Sequence, residues 1–181
     1  MGKLGSFTKF NLRTDEGFTL IELVLVIVIL AFGITGVSAF FIQGAIDSSY
    51  AQLATIGMTL AQDQMEEIQS KCWDETETFT LPCDGPITPS FPLGPEGEGR
   101  SAFDDVDDFN GLSNSPPQDS QGTPMASFSR YTRTVGVCYV NAAALDVCVG
   151  GPTSFKRVSV IVSWGSAGDQ IQLVTVVSHH S

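Results

Sequence analysis

DEGFTLIELVLVIVILAFG, residues 15–33, decides how the rest of the chain is read. Glu22 is the only charge between Phe18 and Ile46, and it sits inside an otherwise apolar run. A carboxylate at the centre of a bilayer costs about 2.5–3.5 kcal/mol on insertion scales, and less near the interface. Its presence therefore calls for a reason. From Leu23 to Ile42 the run carries no charge at all. At about 1.5 Å per residue a helix of that length crosses the roughly 30 Å hydrocarbon core. Lys3, Lys9 and Arg13 precede the run and Asp47 follows it, so the bulk of the chain is expected on the far side of the membrane from the cytoplasm.

Composition agrees. The 181 residues suit one domain plus an anchor, and 43% are hydrophobic, too many for a disordered chain. A net charge of −11 and a pI near 4.3 argue against nucleic acid, whose recognition rests on basic surface. The four cysteines, Cys72, Cys83, Cys138 and Cys148, lack the Cys-x-x-Cys spacing of zinc sites. They fall into two sequential pairs, which suggests disulfides and an oxidising compartment. Four cysteines allow three connectivities. Cys138–Cys148 is expected because the two flank a turn at 141–144. Cys72–Cys83 would clip a long loop to a helix end, although Cys72 could equally staple the sheet.

A cleaved secretory signal is the ordinary alternative for the apolar run, and Val37-Ser38-Ala39 offers a small-residue cleavage site. The run is too long for that, holds Glu22, and continues in helical register past Ala39. A plain single-pass anchor explains the length but leaves Gly17, Phe18 and Glu22 without a role.

A basic leader, then Gly17, then Phe18-Thr19-Leu20-Ile21-Glu22, then about twenty apolar residues together resemble the type IV prepilins. The pseudopilins of type II secretion share this signature. The resemblance covers positions 13 to 42 in detail. It implies that a membrane peptidase cuts between Gly17 and Phe18 on the cytoplasmic face and methylates the new amine. Glu22 would then pair with the Phe18 ammonium of a neighbouring subunit in a filament core, since a buried charge needs a partner. Many members of that family carry a proline along this helix. Here the corresponding stretch is Ala39-Phe40-Phe41, and Gly33 and Gly36 stand nearby instead.

The helical pattern continues past the membrane. Ile46, Tyr50, Leu53, Gly57, Leu60, Ala61, Met65 and Ile68 recur at spacings of three and four, with Asp47, Gln52, Gln62, Asp63, Glu66 and Glu67 between them. Met58 and Met65 read as packing residues. The helix is expected to end near residues 71–73. Positions 74–127 hold eight of the nine prolines and read as irregular, with short strands conceivable around Phe79 or Ile87. The last third reads as antiparallel strands at 129–140, 145–149, 156–164 and 170–178. Val158, Val160, Val162 and Trp164 share one face, as do Ile171, Leu173 and Thr175, and 165–168 is a hairpin turn. A helix laid on such a sheet buries both apolar faces. The expected fold is thus α+β, a pilin-like roll. Its parts are a leader at 1–17, a membrane or filament-core helix at 18–45 and a periplasmic head at 46–181. Within the head, 46–72 is the amphipathic helix, 73–127 the loop region and 128–181 the sheet.

Residues 103–112, Phe-Asp-Asp-Val-Asp-Asp-Phe-Asn-Gly-Leu, stand out. Asp104, Asp105, Asp107 and Asp108 could offer oxygen ligands to Ca2+. An EF-hand is excluded by register, because aligning Gly111 with the loop glycine puts Val106 at the first ligand and Pro117 at the twelfth. The competing reading is a solvated acidic turn with Phe103 and Phe109 tucked on the sheet and Arg100 neutralising part of the charge. Trp73-Asp74-Glu75, Cys83, Gly97-Glu98-Gly99-Arg100 and this segment also resemble the D-type minor subunits of mannose-sensitive haemagglutinin pili, over roughly 73–112.

Catalysis finds no support. The only histidines, His179 and His180, lie at the tail, and Gly94, Gly97 and Gly99 lack the strand-to-helix setting of a phosphate loop. The expected role is structural, a minor pilin without a cofactor. Its partners would be other pilins, the prepilin peptidase and the inner-membrane assembly platform. It would sit in the inner membrane as a single-pass protein before joining an extracellular pilus. A type II secretion pseudopilin is the alternative, and a membrane-tethered carbohydrate-binding adhesin is the alternative from another class.

Overall fold

The computed structural model describes residues 17–74, 89–165 and 168–179. Helix α1 runs Leu20–Gln69, two residues short of the expected end. Thr19 begins it: the Glu22 N–H donates to Thr19 Oγ1 at 3.4 Å and the Leu23 N–H to the Thr19 carbonyl at 3.1 Å. A threonine in that place satisfies one of the free N–H groups of the first turn. The helix is unbroken across Gly33 and Gly36. The chain divides into two compact units at Asp47/Ser48.

In the first unit the helix is apolar all round. Leu20, Ile21, Phe40 and Phe41 are each at least three-quarters exposed. Its few hydroxyls are satisfied internally, Thr35 Oγ1 donating to the Ala31 carbonyl at 3.0 Å and Ser38 Oγ to that of Ile34 at 2.8 Å. This is how polar side chains are accommodated where no water reaches. The segment is long and apolar enough to cross a membrane.

The second unit is an α+β head. Its five-stranded antiparallel sheet consists of β1 (Ser113–Asn114), β2 (Tyr131–Asn141), β3 (Ala144–Val149), β4 (Phe155–Trp164) and β5 (Asp169–Ser178). The order is β1-β2-β4-β5, with β3 also paired to β2. The expected strands are all present, with ends moved by one or two residues. Strict alternation on β4 puts Lys156, Val158, Val160, Val162 and Trp164 on the buried face. They meet Tyr139, Val137, Val135, Arg133 and Tyr131 across the ladder. Leu60, Ala61, Met65 and Ile68 of α1 complete this core, each burial contributing about 1.5–3 kcal/mol for the larger side chains. Ile171 and Leu173 of β5 pack at its margin.

Gly57 is where helix and sheet come closest. A Cβ there would lie 2.7 Å from Trp164 Cζ3. Trp164 is itself held between Tyr50 and Tyr131, with ring centroids 6.3 and 6.1 Å away. Cys138 and Cys148 form the expected disulfide across β2 and β3. Cys72 is also disulfide-bonded; Cys83, its expected partner, lies outside the described residues, as do Phe79 and Ile87.

Candidate functional site

Two places carry unusual chemistry, one in each unit. In the first, Gly17 precedes the helix with nothing within 4 Å of where a Cβ would stand, so its backbone is open to approach. Phe18 is 76% exposed. Glu22 is the third helical residue, and Thr19-Leu20-Ile21-Glu22 is the Thr-x-x-Glu pattern of a helix start. A carboxylate in the first turn also meets the positive end of the helix dipole, worth about 0.3–1 kcal/mol. Local physics thus explains part of Glu22, but not why a charge should enter so apolar a surface.

The second place is the acidic segment of the head, which is neither solvated nor gathered around one point. Asp105, Asp107 and Asp108 are buried, while Asp104 is exposed. Asp105 Oδ1 accepts the N–H groups of Asp107 (2.8 Å) and Asp108 (3.2 Å). Asp108 Oδ2 accepts those of Asp104 (2.8 Å) and Asp105 (3.1 Å). This is the reciprocal bonding of a capping box, with Asp105 and Asp108 three apart. It starts the short 3-10 helix Asp107–Phe109. Gly111, at φ +79°, then turns the chain so that its N–H reaches the Val135 carbonyl at 3.1 Å. Phe103 and Phe109 are buried as expected, edge to face with centroids 5.2 Å apart.

Arg100 does not neutralise the acids of this turn. It pairs with Glu67 of α1 at 2.5 Å and lies over the Phe103 and Phe109 rings. The cation that does reach one of them, Asp107, is Lys156. Its Nζ donates to Asp107 Oδ1 (2.5 Å), Asp74 Oδ2 (2.9 Å) and the Trp73 carbonyl (2.6 Å), and stands 4.4 Å from the centre of the Trp73 ring. The Lys156, Asp74 and Asp107 side chains are wholly buried. Asp74 is held in turn by the N–H and hydroxyl of Ser90 and by the Tyr139 hydroxyl, which also donates to the Ser90 carbonyl.

One carboxylate oxygen each of Asp74, Asp105 and Asp107 lies within 4.8 Å of the others. Burial, then the charge of Asp107, pushes the Asp105 carboxyl up to about 9. A proton on it resolves an otherwise awkward geometry. Oδ2 of Asp105 and Oδ2 of Asp107 are both buried and lack a donor, and a shared proton gives each a partner. Burial likewise raises the Asp108 carboxyl, and burial followed by the charge of Asp74 raises the Tyr139 hydroxyl.

The four expected calcium ligands therefore do not form one set. Asp107 pairs with Lys156 and groups with Asp74 and Asp105, whereas Asp104 and Asp108 group with Glu98. Asp74 and Lys156 entered none of the site expectations. A signal for Lys156 was available: it is two residues before Val158 and so continues the inward row of β4.

Residues 12–38 match the family model of the prokaryotic N-terminal methylation motif. No curated protein and no solved structure matches the chain. The motif covers Gly17, Phe18 and Glu22 and ends within the apolar helix. Together with the apolar, exposed first unit, it supports a type IV pilin-like or pseudopilin precursor, a class that is structural rather than catalytic and is processed by prepilin peptidase.

Proposed function

We propose that this chain is a minor type IV pilin, cut between Gly17 and Phe18, whose apolar helix packs into a filament core while the head faces outward. The observation that carries this reading is the methylation motif, which runs into an apolar helical segment that has no buried side within the first unit. Such a surface has two stable settings, lipid and other helices of its kind. A subunit kept in the bilayer after cleavage uses the first and then the second. The head would lie in the periplasm before assembly and outside the cell after it. The D-type likeness over residues 73–112 favours a minor subunit of a mannose-sensitive haemagglutinin type of pilus.

The test is mass spectrometry of the mature chain together with its copy number in sheared filaments. A methylated N-terminal Phe18 and a low ratio to the major subunit are expected. An N-terminus at Phe40 would mean ordinary signal cleavage and end the pilin reading. Correct processing with no trace in surface filaments would point to a type II secretion pseudopilin.

A further inference from the structure

We propose that Lys156 and Asp107 condense, within the folded head, into an intramolecular amide. The starting point is a cost. A lysine with no exposed surface, paired with two carboxylates, has lost its hydration, and ion pairs of that kind barely balance their desolvation. Joining the two groups removes one positive and one negative charge from the core at once.

The geometry is that of reactants already in place. Nζ touches Asp107 Oδ1, so Cγ of that carboxyl is one covalent bond further on, the close approach a near-attack pair requires. Each proton also has a carrier. Asp74 Oδ2, at 2.9 Å from Nζ, takes a proton from the ammonium and leaves a neutral amine as nucleophile. Asp105, with a carboxylate oxygen within 4.8 Å of one of Asp107 and a carboxyl that burial keeps protonated, supplies a proton to the carboxyl under attack and makes Cγ electrophilic. The N–Cγ bond forms and a Cγ–O bond of Asp107 breaks. That oxygen leaves as water with two of the three ammonium protons. Asp74 and Asp105 relay protons and finish as they began, so no oxidant or other reactant is required. The remaining amide N–H keeps the Trp73 carbonyl as its acceptor, 2.6 Å from Nζ. Trp73 and Tyr139 wall the site and exclude the bulk water that would favour hydrolysis.

The product would be a covalent strut between the start of β4 and the acidic turn, 49 residues apart in sequence. The inference stands on the head alone and does not depend on how the subunit is used.

The full-length chain, purified from membranes, reduced, alkylated and digested with trypsin, gives the answer directly. A condensed Lys156 resists cleavage. Residues 101–130 and 134–157 should then appear as one branched peptide, lighter than their sum by one water. Recovery of the two segments as separate linear peptides, with cleavage after Lys156, would overturn the proposal and leave a buried ion pair. Because that reading is made on the wild type, it does not depend on any variant folding. Lys156→Arg should abolish the branched peptide. Asp105→Asn should abolish it too while the Cys138–Cys148 disulfide still forms; a branched peptide at wild-type yield in that variant would overturn the role given to Asp105.

Discussion

Two residues carry the strongest expectations. Removing the carboxylate of Glu22 makes its segment more apolar, so Glu22→Ala should enter the membrane and be cut after Gly17 as before. In the proposed filament it would lose the partner of a neighbouring Phe18 ammonium, and breaking one side of a buried pair costs about 3–5 kcal/mol. Incorporation into sheared filaments, measured against abundance in membranes, should fall more than about a hundredfold. Incorporation at the wild-type level would leave Glu22 only its place in the first helical turn. Asp105 bears on pH. Its carboxyl is raised from the ordinary aspartate value of 3.8 to about 9, with burial as the largest cause, and burial persists whether or not Asp107 keeps its charge. Below the unfolded value both states hold the proton. As pH rises toward the folded value, the unfolded chain releases it and the folded one does not, so stability falls with rising pH across that window. The urea midpoint of the detergent-solubilised chain should therefore drop between about pH 5 and about pH 9, and drop less in Asp105→Asn. Equal slopes would remove the proton from Asp105.

At the scale of elements, the contact of α1 with β4 depends on Gly57. Alanine raises helix propensity by about 1 kcal/mol, but its Cβ would meet the edge of Trp164 at 2.7 Å. Overpacking of that kind costs about 1–3 kcal/mol, and Trp164 has aromatic neighbours on both sides, so the clash outweighs the gain. Gly57→Ala should lower stability by about 1 kcal/mol and Gly57→Leu by more, read from denaturant midpoints at constant slope. A stabilised Gly57→Ala would show that helix and sheet separate there easily. The elements themselves were legible, because α1 and β4 each bury one face and their periods, 3.6 and 2, are written in the order of apolar residues. Gln64 was missed on the buried face of α1 because it is polar, and Lys156 on that of β4 because it is charged. In both cases periodicity was the better guide than residue type.

For the whole molecule, two units meet at Asp47/Ser48 and answer to different surroundings. Calcium tests the head. With Asp107 paired to Lys156, and Asp105 Oδ1 and Asp108 Oδ2 each taken by two backbone N–H groups, the melting temperature should be the same with added Ca2+ as with a chelator. A rise with Ca2+ would place a cation at Glu98, Asp104 and Asp108. The sequence by itself determined the membrane segment, the processing signature, the helix and four of the strands, because each rests on the order of neighbouring residues. It also pointed to the Cys138–Cys148 pair, which a short turn brings together. Only the tertiary structure decided what the acidic segment is. Asp74, Asp105, Asp107 and Lys156 lie up to 82 residues apart, and whether a carboxylate meets water, calcium or an ammonium is set by which distant chain folds over it. A run of acids looks solvated in sequence because acids usually are. Here the burial of Asp105, Asp107 and Asp108, and a lysine reaching in from the sheet to Asp107, make it part of the core.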